Sequence, residues 1–128
     1  MAKEIFQFNH ELTDEERIFL AIENPGATFL LLNDEQQNNE ELQMASITRS
    51  VSSAQYIKNP TINVQEFLVK RNPVNIKYIH NPDKTVLDDL LDRLLKNKKT
   101  ENNIRALKIL KDIITEPEKK LLIEVILT

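Results

Sequence analysis

The sequence predicts an all-α fold of short, stacked helix-turn-helix repeats, HEAT- or solenoid-like in arrangement, capped at its C-terminal end by further helices. Three observations carry this. A phrase is written twice, Tyr56-Ile57-Lys58-Asn59-Pro60 and Tyr78-Ile79-His80-Asn81-Pro82, 22 residues apart, and a fixed period of that size marks stacked repeats. Apolar residues return at helical spacing along much of the chain, most strongly at Leu87, Leu90, Leu91, Leu94 and Leu95. A single glycine, Gly26, against thirteen asparagines leaves most of the turning to Asn, whose short side chain suits helix caps and tight turns. The alternative left open is an α+β fold in which residues 5–8 and the β-branched run at 121–128 pair as two terminal strands.

Taken in order, residues 1–9 read as a short strand or as an arm packed on the first helix, with Ile5, Phe6 and Phe8 as its apolar side chains. Thr13 with Glu16 forms a capping box, and Asp14, Glu15 and Glu16 suit the positive end of a helix dipole. That helix buries Ile18, Phe19 and Ile22 and stops near Asn24-Pro25; a short helix over 27–32 follows. Residues 33–41 contain no apolar side chain and read as a solvated loop. Helical spacing returns with Leu42, Ala45 and Ile47 facing inward, and a second short helix ends in Tyr56-Ile57 before Asn59-Pro60. The third unit is the cleanest. Val64, Phe67 and Leu68 form its stripe, Asn72 caps a short helix opened by Pro73, and Ile76, Tyr78 and Ile79 face inward.

Aligned on these features, Phe67 lies over Ala45 and Phe19, Leu68 over Ser46 and Leu20, Ile79 over Ile57 and Leu31, and Asn81 over Asn59 and Asn33. The repeats therefore span about 13–34, 39–60 and 61–82, with a four-residue insertion between the first two. A helical cap follows over 83–128. In it Thr85 and Asp88 make a box-like cap, and Asp89–Arg93 and Asp92–Lys96 pair on the exposed face. A helix carries Ile104, Leu107, Leu110, Ile113 and Ile114. The last begins at a second capping box, Thr115 with Glu118, and continues through Leu121, Leu122, Val125 and Ile126.

The run from Asn59 to Pro82 resembles the short tandem two-helix repeats, with a Y-I-x-N-P signature, scattered through large phage, viral and bacterial proteins and grouped as a domain of unknown function. The resemblance implies a helical-repeat fold and a phage or mobile-element origin, and it implies no activity, cofactor or site residue. The second unit departs from the pattern, with serines at 50, 52 and 53 where it has Asn-Pro.

Composition narrows the function further. A chain of 128 residues is long enough for one domain, here 1–128, with a core of its own. With no cysteine and only His10 and His80, disulfides, thiolate chemistry and multi-histidine metal sites are excluded, which fits a reducing, cytoplasmic setting. Phosphate-cradling loops need several glycines at fixed spacing, and one glycine excludes them. The longest apolar run, Phe29 to Leu32, is far short of the roughly 20 residues a membrane span needs. Charge is uneven: residues 1–48 carry two basic and ten acidic side chains, residues 49–128 fifteen and ten.

Each candidate for chemistry has a plainer reading beside it. His80 precedes Asn81-Pro82 and Asp83 but occupies the outward position of Lys58, which makes it a surface histidine. Asp88, Asp89 and Asp92 could gather a hard cation, or form a solvated helix start balanced by Arg93 and Lys96. The basic residues Arg93, Lys96, Lys98, Lys99 and Arg105 could contact phosphates, yet no aromatic residue is interleaved for base stacking. The expectation is a protein with no enzymatic activity and no cofactor. It binds another protein through outward side chains of successive short helices, Lys58, Asn75, Lys77 and His80, as a small phage or mobile-element regulator or inhibitor of a host protein. The alternative partner is nucleic acid, held by the basic C-terminal part or imitated by the acidic N-terminal third.

Overall fold

A computed structural model describes residues 11–97 and 100–128, and among them every regular element is a helix. Helix α1, Asp14–Glu23, opens on the expected capping box: the Thr13 hydroxyl accepts from the Glu16 amide at 3.1 Å, and the Glu16 carboxylate accepts from the Thr13 amide at 2.8 Å. Asn24-Pro25 ends it, and Gly26, at φ 121, turns the chain where a side chain would be strained. A 3₁₀ helix, Ala27–Leu31, follows. Residues 33–41 are not all loop. Asn33 and Gln36 cap each other reciprocally, at 2.8 and 3.0 Å, and this box closes a one-turn helix α2, Asp34–Gln37.

The second unit is α3, Glu40–Arg49, capped by Asn39, with a 3₁₀ helix Val51–Tyr56. The third is α4, Ile62–Arg71, capped by Thr61, with a 3₁₀ helix Pro73–Tyr78 whose cap is Asn72, as expected. The three long helices begin at residues 14, 40 and 62, so the first two start 48 and 22 residues before the third. Each packs on its own 3₁₀ helix; α1 touches α3, α3 touches α4, and consecutive 3₁₀ helices touch each other.

The buried stripe matches expectation in part: Ile47, Val64 and Leu68 are buried as expected, whereas Phe67 is half-buried and Phe19 is not in the core. In α1 the buried residues are Leu20 and Ala21, in α3 Gln43, Ser46 and Ile47, and in α4 Val64, Gln65, Leu68 and Val69. Phe19 points away from the core and is 61% exposed. The 3₁₀ segments end on a buried aliphatic residue, Leu32, Ile57 or Ile79, while Tyr56 and Tyr78 are half-buried. Leu32 thus takes the place assigned to Leu31. Three residues, Asn24 to Gly26, link α1 to its 3₁₀ helix where one, Ser50 or Asn72, serves in the other units, and the 3₁₀ helix is one residue shorter. The net slip is one residue.

A second set of equivalent positions holds the stack together. Gln43 is fully buried; its Nε2 donates to the carbonyls of Gln37 and Asn59 at 2.9 and 3.1 Å, and its Oε1 accepts from the Thr61 amide at 3.1 Å. Gln65, 22 residues on and 4% exposed, repeats the arrangement: Nε2 donates to Pro60 O at 3.0 Å and Oε1 accepts from the Asp83 amide at 2.8 Å. Each glutamine clips the segment before its own helix to the segment that leaves its unit. The loops around the Asn-Pro phrases would otherwise bury unpaired backbone groups, which is costly. In α1 the matching position is Arg17, which pairs with Asp14 at 2.7 Å and clips nothing inside.

The C-terminal part is α5, Lys84–Lys96, α6, Glu101–Ile113, and α7, Pro117–Leu127. Helix α5 packs on α4 and α6, α6 on the third 3₁₀ helix, and α7 on α6. Helix α5 buries Val86, Leu90, Leu91 and Leu94, and α6 buries Ala106, Leu107 and Leu110. Two caps differ from expectation. Asp83, not Thr85, caps α5, its carboxylate accepting from the Thr85 amide at 2.8 Å, and Glu116 at the start of α7 makes no side-chain cap. The Asp92–Lys96 pair is present at 3.8 Å, whereas Arg93 reaches the Val69 carbonyl at 3.5 Å rather than Asp89. The terminal strand pair is overturned in one half, because residues 121–127 are helical; residues 1–9 lie outside the described residues.

Candidate interaction surface

Of the four residues assigned to an outward ridge, three are at the surface. Lys58 is exposed and, with Asp34, Gln37, Asn38 and Asn59, lines a polar depression of about 260 Å³ where the first and second inter-unit segments meet. Lys77 is exposed with its Nζ 5.1 Å from the centroid of the Tyr78 ring. His80 is exposed and its Nε2 hydrogen-bonds to the carbonyl oxygen of Gln55, tying the third unit to the second. Asn75 is not on the ridge. It is 7% exposed, and its Nδ2 donates to the Leu68 carbonyl at 2.9 Å, so its polar end serves the fold. In the second unit the matching residues are Ser53 and Ser46, both buried, and neither hydroxyl oxygen finds a partner.

The basic residues of the C-terminal part are dispersed in role. Arg93 is half-buried against Val69, Lys96 pairs with Asp92, and Arg105 is exposed on α6; Lys98 and Lys99 lie outside the described residues, as does His10. The acidic trio is likewise divided. Asp88 accepts from Lys84 and Lys119, both at 2.8 Å, and Glu116 lies 2.8 Å from Lys119 and 3.4 Å from Lys84. Hydrogen bonds from Lys119 lead the effects that hold the Asp88 and Glu116 carboxyls below their ordinary values. The same two carboxylates, Asp88 first, raise the Lys119 ammonium above its own. This four-charge cluster ties the start of α7 to α5. Beside it Pro82, Leu87, Ile113, Ile114 and Thr115 line a shallow groove of about 440 Å³. Among the described residues no cluster of three or more His, Asp or Glu is placed to hold a metal ion.

Among the described residues, α7 carries the largest group of exposed aliphatic side chains on one helix. In α7 only Ile123 is fully buried; Leu121, Leu122 and Val125 are 60%, 44% and 63% exposed. These three positions are one, three and four residues apart, so they share one face of the helix. The signal was in the sequence. Six apolar residues among seven, at 121–127, make a helix apolar on more than one side, and a single core contact cannot absorb them all. Among the described residues no helix is long and apolar enough to cross a membrane, so that breadth is not explained by a span.

No protein-family model, curated protein or solved structure matches this chain.

Proposed function

We propose that this chain is a non-enzymatic protein-binding module, a small regulator that works by contact with a host protein, and that the outer face of α7 is a principal contact. The observation that carries this reading is the exposure of Leu121, Leu122 and Val125 together on one helix face. Large aliphatic side chains grouped at the surface mark contact sites more often than isolated ones do. The two copies of the phrase support it as well, since they differ at an outward residue, Lys58 in one and His80 in the other.

The test is affinity capture from the native host after nuclease treatment, comparing the wild-type chain with a Leu121→Lys/Val125→Lys variant. Both side chains are already exposed, so the variant keeps its helical circular dichroism. The expected result is one polypeptide retained by the wild type and lost by the variant. Retention unchanged in the variant, or a partner removed by nuclease, counts against the proposal.

A further inference from the structure

We infer that the outward face of α1 around Phe19 receives an arginine side chain from a partner protein. This surface lies on a different helix from the α7 face and stands on separate observations. Helices α1 and α4 are both ten residues long and hold equivalent places in their units, with Phe19 and Phe67 as their sixth residues. In α4 the residue four positions later is Arg71, whose guanidinium carbon sits 5.7 Å from the centroid of the Phe67 ring. The fold thus shows how a half-buried ring at this position is covered. In α1 the residue four positions later is Glu23, and the Phe19 ring is left 61% exposed with no cation stacked on it among the described residues.

The side chains one helical turn from Phe19 are Glu15, Glu16, Ile22 and Glu23. Glu16 serves the helix cap, and Glu23 is held by Arg49 at 2.8 Å. Glu15 is exposed and has no cationic partner among the described residues. The one arginine on α1, Arg17, is spent on Asp14. A ring whose π face attracts cations therefore stands one helical turn from a carboxylate, Glu15, that has no cationic partner among the described residues. A guanidinium meets both demands, stacking flat on the ring while its N–H fork reaches the Glu15 carboxylate. An ammonium can also sit over a ring, as Lys77 does over Tyr78, but it is a strongly hydrated point charge that cannot lie flat on the ring while its donors fork to a carboxylate. Arginine and aromatic residues are also the side chains that concentrate binding energy at protein interfaces.

The full chain is titrated at low salt with an octa-arginine peptide and, separately, an octa-lysine peptide, with shifts of the Phe19 ring and the α1 amides followed by nuclear magnetic resonance. The arginine peptide should give saturable shifts centred on Phe19 and bind several-fold more tightly than the lysine peptide. Phe19→Ala should weaken arginine binding about two- to five-fold, as expected for an exposed cation–π contact, and abolish the preference for arginine. Glu23→Arg, which supplies in α1 the guanidinium that Arg71 supplies in α4, should abolish the preference while keeping the ring. Equal binding of the two peptides, or an arginine affinity unaltered by Phe19→Ala, overturns the inference. Failure of the α7 variant to lose its captured polypeptide would leave it untouched.

Discussion

Replacing Gln65 by methionine, which keeps the length of the side chain and removes both polar ends, should destabilise the fold by about 2–3 kcal/mol. The magnitude comes from its two bonds, Nε2 to Pro60 O at 3.0 Å and Oε1 from the Asp83 amide at 2.8 Å, made by a side chain 4% exposed. A buried backbone group left unpaired costs about 1–3 kcal/mol, so the two groups that lose their partner cost about 3–4 kcal/mol together. The apolar methionine tip returns roughly 1 kcal/mol through burial. Gln43 makes three bonds instead of two, so Gln43→Met should cost about 1 kcal/mol more than Gln65→Met. Against a total stability of about 5–15 kcal/mol, either loss is plain in urea unfolding followed by circular dichroism. Amide hydrogen exchange supplies the local readout: Asp83 should lose protection in the first variant and Thr61 in the second. If Gln65→Met unfolds within about 0.5 kcal/mol of wild type and the Asp83 amide stays protected, the glutamine clips do not hold the units together.

Two further outcomes follow from the same geometry. Ser53→Asn restores, one unit earlier, the side chain that Asn75 directs to Leu68 O, and removes a buried hydroxyl with no partner. Thermal unfolding should show a gain of about 1 kcal/mol, and a loss of that size would mean that the second unit lacks the space the third provides. In the charge cluster, the Asp88 and Glu116 carboxyls are lowered by Lys119, so their contribution is fully present above the ordinary carboxylate range and fades as pH falls through their lowered folded values. Carboxyl titrations by nuclear magnetic resonance should place both midpoints below the usual ~3.9 and ~4.3, and Lys119→Met should move them back up. Ordinary midpoints in the wild type would show that the pairs do not form in solution.

Helix positions were legible because caps and breaks are local. Thr13 with Glu16, Asn72 before Pro73 and the Asn-Pro pairs each act within a few residues, and the helices begin and end where those signals place them. What each helix buries was less legible, since burial depends on neighbours distant in sequence. Phe19 looked like core by its side chain alone, but unit one meets its neighbour through Leu20 and Ala21. Asp83 displaced Thr85 as the cap of α5 because Gln65, 18 residues away, already holds the Asp83 amide at that turn. Helix α7 kept three aliphatic side chains at the surface for the same kind of reason. Among the described residues its main packing is on α6, and the Lys119 cluster ties its start to α5, which leaves one face of the helix uncovered.

The repeated phrase also misdirected attention from the residues that make the repeat cohere. Reading polar as outward and apolar as inward assigned Asn75 to the ridge and ignored Gln43 and Gln65, yet all three are buried and each satisfies backbone that the turns leave open. In stacked units built from helices of ten residues and 3₁₀ turns of five or six, many backbone groups fall outside helical ladders. Such a stack needs internal donors and acceptors at the period of the repeat. A polar residue recurring at that period, as glutamine does at 43 and 65, is therefore as diagnostic of the interior as a recurring leucine. The period is broken at other positions, where Phe19 is bare and Phe67 covered, and where Glu23 stands in place of the Arg49 and Arg71 of the later helices.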